Sequence, residues 1–68
     1  MTIEEYEAAF HGIDLPQEIL LSPGTYITDV PYFIESHIEG LKSTKNPKQI
    51  APLEQRLDKL LKLLEENA

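Results

Sequence analysis

The sequence predicts an all-α fold: a three-helix mini-bundle with an extended, apolar-anchored connector between helices 1 and 2, in one domain over residues 1–68. Three observations carry that expectation. Apolar residues recur in three separate runs at the three- and four-residue spacing of a helix face. Gly12, Pro16, Pro23, Gly24 and Pro47 punctuate the chain between those runs. Hydrophobic residues make up 41% of the chain, enough for a core and too many for disorder, with no run of about 18 apolar residues to span a membrane.

The first helix is expected over Ile3 to His11. Thr2 and Glu5 have capping-box spacing, and Glu4, Glu5 and Glu7 suit the positive end of the helix dipole. Ile3, Tyr6, Ala9 and Phe10 share one face, and Gly12 offers a left-handed C-terminal cap. A helix this short needs docking to persist in water. His11, in its last turn, suits a capping role.

Residues 13–28 read as the connector. Ser22-Pro23-Gly24-Thr25 matches a type II turn, and Ile19-Leu20-Leu21 and Tyr26-Ile27-Thr28 have strand-like composition. A short hairpin is the alternative. Against it, type II turns splay strands, which hairpins avoid by using the mirror-image types. One glycine is too few for a phosphate-cradling loop.

The second helix organises the chain. Val30, Phe33, Ile34, His37, Ile38 and Leu41 fall on one face, with Tyr32, Glu35 and Glu39 opposite. Its first residue is any of Asp29 to Pro31, because Thr28 or Asp29 suits a cap while Pro31 biases Val30 away from helical angles. Lys42 favours termination soon after it. His37 sits among apolar neighbours and reads as a neutral core histidine bonded to a backbone carbonyl or a tyrosine hydroxyl. A metal ligand or general base would need companions. The chain has no Cys, and its other histidine, His11, is distant in sequence.

Residues 43–51 form a polar link. Asn46-Pro47 signals one helical turn, but Pro52 inside a helix costs about 3 kcal/mol, so the third helix is expected from Ala51 or Pro52 to about Glu65. Ile50, Leu53, Leu57, Leu60 and Leu64 alternate like a coiled-coil seam, which Leu61 widens, with Leu63 at its edge. That surplus keeps open a dimer face beside the simpler reading, packing against the second helix.

Residues 1–41 carry eight carboxylates and no Lys or Arg, and residues 42–68 carry six basic residues against four acids, for a net charge of −6. That distribution argues against direct nucleic-acid binding and favours basic partners. The acidic start is unlike a secretory leader, and the lack of Cys fits a cytoplasmic location.

Glu18-Ile19, Pro23-Gly24, Ile27, Asp29-Val30, Phe33-Ile34 and Ser36-His37, followed by Pro52-Leu53, Arg56-Leu57 and Leu60, resemble a family of very small bacterial proteins catalogued only as a domain of unknown function. The resemblance implies a bacterial, cytoplasmic origin and carries no activity and no catalytic residues.

The residues therefore point to a non-enzymatic protein-interaction module, acting as a homodimer or as an accessory to another protein. Tyr32, Glu35, Glu39, Leu61 and Leu63 are the candidate interaction surface. The alternative is an acidic decoy that occupies a basic or nucleic-acid-binding protein. No catalytic set, metal set or cofactor motif is expected. Ser36 and His37 are neighbours on a helix, about 100° apart, and so form no nucleophile–base pair.

Overall fold

The computed structural model describes residues 2–66. Its elements are α1 (Ile3–His11), β1 (Ile19–Ser22), β2 (Thr25–Ile27), α2 (Val30–Ser43) and α3 (Pro47–Glu66).

The capping box forms as its spacing requires. The Thr2 amide donates to Glu5 Oε1 at 2.9 Å, and the Glu5 amide donates to Thr2 Oγ1 at 3.2 Å. These bonds hold the Glu5 carboxyl below its ordinary range. Gly12 ends α1 without the expected left-handed cap. Its φ is −86°, and its amide donates to the Ala8 carbonyl at 3.3 Å.

The all-α expectation is corrected at the connector, where β1 and β2 form a two-stranded antiparallel sheet. Ile19 pairs with Ile27, Leu20 with Tyr26, and Ser22 with Thr25, with a register irregularity between Leu20 and Ser22. Gly24, at φ 84°, takes the left-handed position that a type II turn requires. Two features offset the splay of that turn. The bulge at Leu21 adds local twist, and Leu21 and Ile27 are both buried, so the hairpin is clamped to the core by its inner face.

Asp29 caps α2, accepting from the Tyr32 amide at 3.2 Å, with Pro31 in the first turn where no amide is needed. Before α3, the Asn46 Oδ1 accepts from the Lys48 amide at 3.0 Å, and Thr44 Oγ1 donates to Gln49 Oε1 at 2.6 Å. The helix then runs unbroken through Pro52, so its expected start at Ala51 or Pro52 is also corrected. The proline lies near the start, where Lys48 and Pro52 are both exposed and water can reach the Lys48 carbonyl left without a donor. Ile50 and Leu53 pack on the core and hold that first stretch down. Leu53 reaches Gly40 on α2, where a Cβ would come within 3.0 Å of its Cδ1.

The core combines Tyr6 and Phe10 of α1, Leu21 and Ile27 of the hairpin, Val30, Ile34, Ile38 and Leu41 of α2, and Leu57, Leu60, Leu61 and Leu64 of α3. Leu57 and Leu60 are wholly buried, each contributing about 2 kcal/mol. Tyr6, also wholly buried, sends its hydroxyl out to Asp58 Oδ1 at 2.6 Å and so joins α1 to α3.

Candidate functional site

The outward faces of α1 and α2 enclose an open groove of about 640 Å³. Its walls combine Tyr32, Glu35, Ser36, Ile38 and Glu39 of α2 with Glu7 of α1, and Lys42 closes one end. Lys42 Nζ lies 3.2 Å from Glu7 Oε1 and 4.0 Å from Glu39 Oε1. All three side chains are well exposed, so these ion pairs are weak and easily exchanged. Three carboxylates face one ammonium in the groove, which leaves its potential negative. Tyr32 is 66% exposed, the most open large apolar side chain among the described residues. A rigid ring beside carboxylates can stack on a guanidinium or cover the stem of a lysine.

Tyr32, Glu35 and Glu39 thus lie together, as their helical spacing implies. Leu61 does not join them. It is 8% exposed and belongs to the core, because α3 packs on α1, α2 and β1 and its broad leucine stripe is covered from several sides. Leu63 is half-buried and packs against the same core. Leu61 thus lies in the core and Leu63 at its edge, both on α3 and apart from Tyr32, Glu35 and Glu39 on α2. Sequence reasoning missed Glu7, Ser36, Ile38 and Lys42. The available signal was Lys42, the first cation after 41 residues without one. Its pairing with Glu7 depends on how α1 docks, which no local pattern reveals.

His37 takes the carbonyl bond expected of it. Its Nδ1 lies 2.7 Å from the Phe33 carbonyl, so Nδ1 carries the hydrogen and donates. The ring lies 3.9 Å from the Phe33 ring, tilted by 32°. No tyrosine hydroxyl serves it: Tyr6 binds Asp58, and Tyr26 donates to Glu18 Oε2 at 2.9 Å. The Nε2 atom is buried without a partner. The Ser36 hydroxyl also donates to the Phe33 carbonyl, at 3.0 Å. With its Nδ1 hydrogen directed there as well, His37 presents no lone pair to Ser36 despite a separation of 3.5 Å.

A second cleft, of about 760 Å³, lies under the segment from Gly12 to Ile19, with Leu64 at its base and Asp14 and Glu18 at its rim. Among the described residues, no three His, Cys, Asp or Glu side chains gather as a metal site, and no helix is long and apolar enough to cross a membrane.

No curated protein and no solved structure matches the chain. A family model does match, over residues 1–66, and the chain belongs to that family, described as Domain of unknown function (DUF6965).

Proposed function

We propose that the chain is a non-enzymatic protein-interaction module whose α1–α2 groove takes a Lys- or Arg-bearing segment of a partner protein. The observation that carries this reading is the placement of Tyr32 beside Glu7, Glu35 and Glu39 in one open groove. An exposed tyrosine supplies contact area with little conformational entropy to lose, and the carboxylates supply the attraction. The first 41 residues, with eight carboxylates and no Lys or Arg, extend the negative field beyond the groove and would speed encounter with a basic surface. Lys42 is held only by exposed carboxylates, so an incoming cation can take its place.

The acidic decoy is the same binding mode turned to inhibition. A basic partner that normally holds nucleic acid would be occupied by carboxylates standing in for phosphates. Competition between this chain and nucleic acid for one captured partner separates the decoy from a simple accessory.

The direct test is a titration of isotope-labelled chain with a Lys/Arg-rich peptide at low salt. Amide shifts should cluster around Glu7, Tyr32, Glu35 and Glu39, fade as salt rises, and vanish in a Tyr32→Ala, Glu35→Lys, Glu39→Lys variant that keeps its helical circular dichroism. Shifts scattered over the whole acidic surface, or none at low salt, would sink the reading.

A further inference from the structure

Six basic side chains accompany twelve acidic ones in this chain, yet among the described residues only Lys42 forms an ion pair. Lys45, Lys48, Arg56, Lys59 and Lys62 form none there, although Asp58 and Lys62 have the favourable i, i+4 spacing on α3. An abundance of carboxylates therefore does not explain the pairing of Lys42. Placement does. Glu7 on α1 and Glu39 on α2 approach one point from two helices, and Lys42 Nζ occupies it.

The ammonium fits this seat incompletely. Nζ is 3.2 Å from Glu7 Oε1, within hydrogen-bond reach, and 4.0 Å from Glu39 Oε1, beyond it. Glu35, one turn before Glu39 on α2, lines the same groove without an ion-pair partner among the described residues. An ammonium is a compact point charge, whereas a guanidinium is a planar fork of five donors that can bond two carboxylates at once.

We propose, resting on the groove reading above, that Lys42 is the groove's own competing ligand: its ammonium fills the seat between Glu7 and Glu39 until a partner displaces it, and the seat takes arginine in preference to lysine. A partner lysine exchanges one ammonium for another and gains little there. A partner arginine gains the second carboxylate. Both must displace Lys42, so its presence weakens both by the same factor. Exposed ion pairs are weak, which sets that factor at roughly two- to fivefold.

Calorimetry on the full chain at low salt tests this, with two peptides of equal length and charge, one carrying arginine and the other lysine at every basic position. The native chain should bind the arginine peptide roughly threefold or more tightly than the lysine peptide. Lys42→Gln should tighten both by the same factor, roughly two- to fivefold. Lys45→Gln removes the same charge at a residue that does not line the groove, and should change affinity much less. Lys42→Arg keeps the net charge and gives the chain a fork of its own, so it should weaken both peptides, where an effect of overall charge predicts no change. Lys42 is exposed, and far-UV circular dichroism of each variant confirms the fold. In isotope-labelled native chain, the Lys42 side-chain methylene resonances should move toward those of free lysine as either peptide binds. Equal affinity for the two peptides, a Lys42→Gln chain no different from Lys45→Gln, or a Lys42→Arg chain that binds as the native one does overturns the proposal. The groove reading survives those outcomes wherever amide shifts still cluster around Glu7, Tyr32, Glu35 and Glu39. Failure of both peptides to bind the native chain and Lys42→Gln alike overturns the two together.

Discussion

Removing one oxygen atom, by Tyr6→Phe, tests how α1 is held to the rest of the fold. The ring is wholly buried and phenylalanine keeps its volume, so the core is left intact. The loss is the 2.6 Å bond from the hydroxyl to Asp58. A hydrogen bond to a charged group contributes about 1.5–3 kcal/mol. Asp58 is exposed and regains water when the hydroxyl goes, which places the cost near the lower end, about 1.5 kcal/mol. For a domain of this size that corresponds to a fall in Tm of roughly 6–12 °C. Urea denaturation followed by far-UV circular dichroism at neutral pH measures it.

The same bond gives the variant a pH signature. Burial pushes the Tyr6 hydroxyl above its ordinary pKa of 10.0, helped by the bond to Asp58 and by the nearby Asp58, Glu54 and Glu5 charges. The folded pKa therefore exceeds the unfolded one. The contribution is complete below about pH 10 and is lost above it, as the unfolded chain ionises first. The native protein should lose stability above that pH with a slope approaching 1.4 kcal/mol per pH unit, over a pH range that solvent screening at the exposed Asp58 end shortens. Tyr6→Phe lacks this slope. The Tyr26 hydroxyl is raised too, by its bond to Glu18, but it is present in both proteins and cancels in the difference. The gap between the two proteins should begin to narrow near pH 10 and close within roughly one to two pH units above it. A gap that stays constant, or a variant as stable as the native chain at pH 7, refutes the reasoning.

Three further substitutions probe the places where the backbone or a polar atom is out of step with its surroundings. Pro52→Ala restores a donor to the Lys48 carbonyl inside α3; it should raise stability by about 2 kcal/mol, the helical gain less the added freedom of the unfolded chain, and a lower urea midpoint would show that the proline is favourable where it lies. Gly24→Ala forces a side chain into φ 84° and should cost about 1–2 kcal/mol, although its Cβ meets nothing within 4 Å; a neutral result would mean that the turn relaxes to another type. His37→Leu replaces the unpartnered, buried Nε2 with hydrocarbon and should stabilise the fold by about 1 kcal/mol; a loss of that size instead would reveal a partner for that nitrogen.

The helical parts of this fold were legible because their signals are local. Thr2 with Glu5, and Asp29 ahead of Pro31, mark their helix starts within one turn of sequence. Misreadings arose where burial outweighed a local rule. The turn rule disfavours a hairpin at Pro23-Gly24, but it describes an isolated ribbon. Here Leu21 and Ile27 are pressed into the core, and the bulge absorbs the geometric mismatch. The proline penalty argued for a late start to α3, yet Ile50 and Leu53 gain more from packing than Pro52 loses near a solvated end. Leu61 looked surplus because a flat periodicity plot assumes one neighbour, whereas α3 is covered by α1, α2 and β1. The groove was half legible: Tyr32, Glu35 and Glu39 share a helix face, while Glu7 and Lys42 meet them only through the docking of α1 on α2.

Placing the leucines of α3 inside has a consequence for how the outer surface divides. What remains outside is an acidic groove with one tyrosine and an uncharged hairpin with another aromatic–aliphatic pair. The groove holds the carboxylates, so the two surfaces should respond to substitution separately. Glu35→Lys with Glu39→Lys should abolish the salt-sensitive affinity for a basic peptide, while Leu20→Thr on the hairpin should leave it unchanged, as read by calorimetry. Equal loss of affinity in both variants would mean that hairpin and groove act as one surface, contrary to the division argued from their charge.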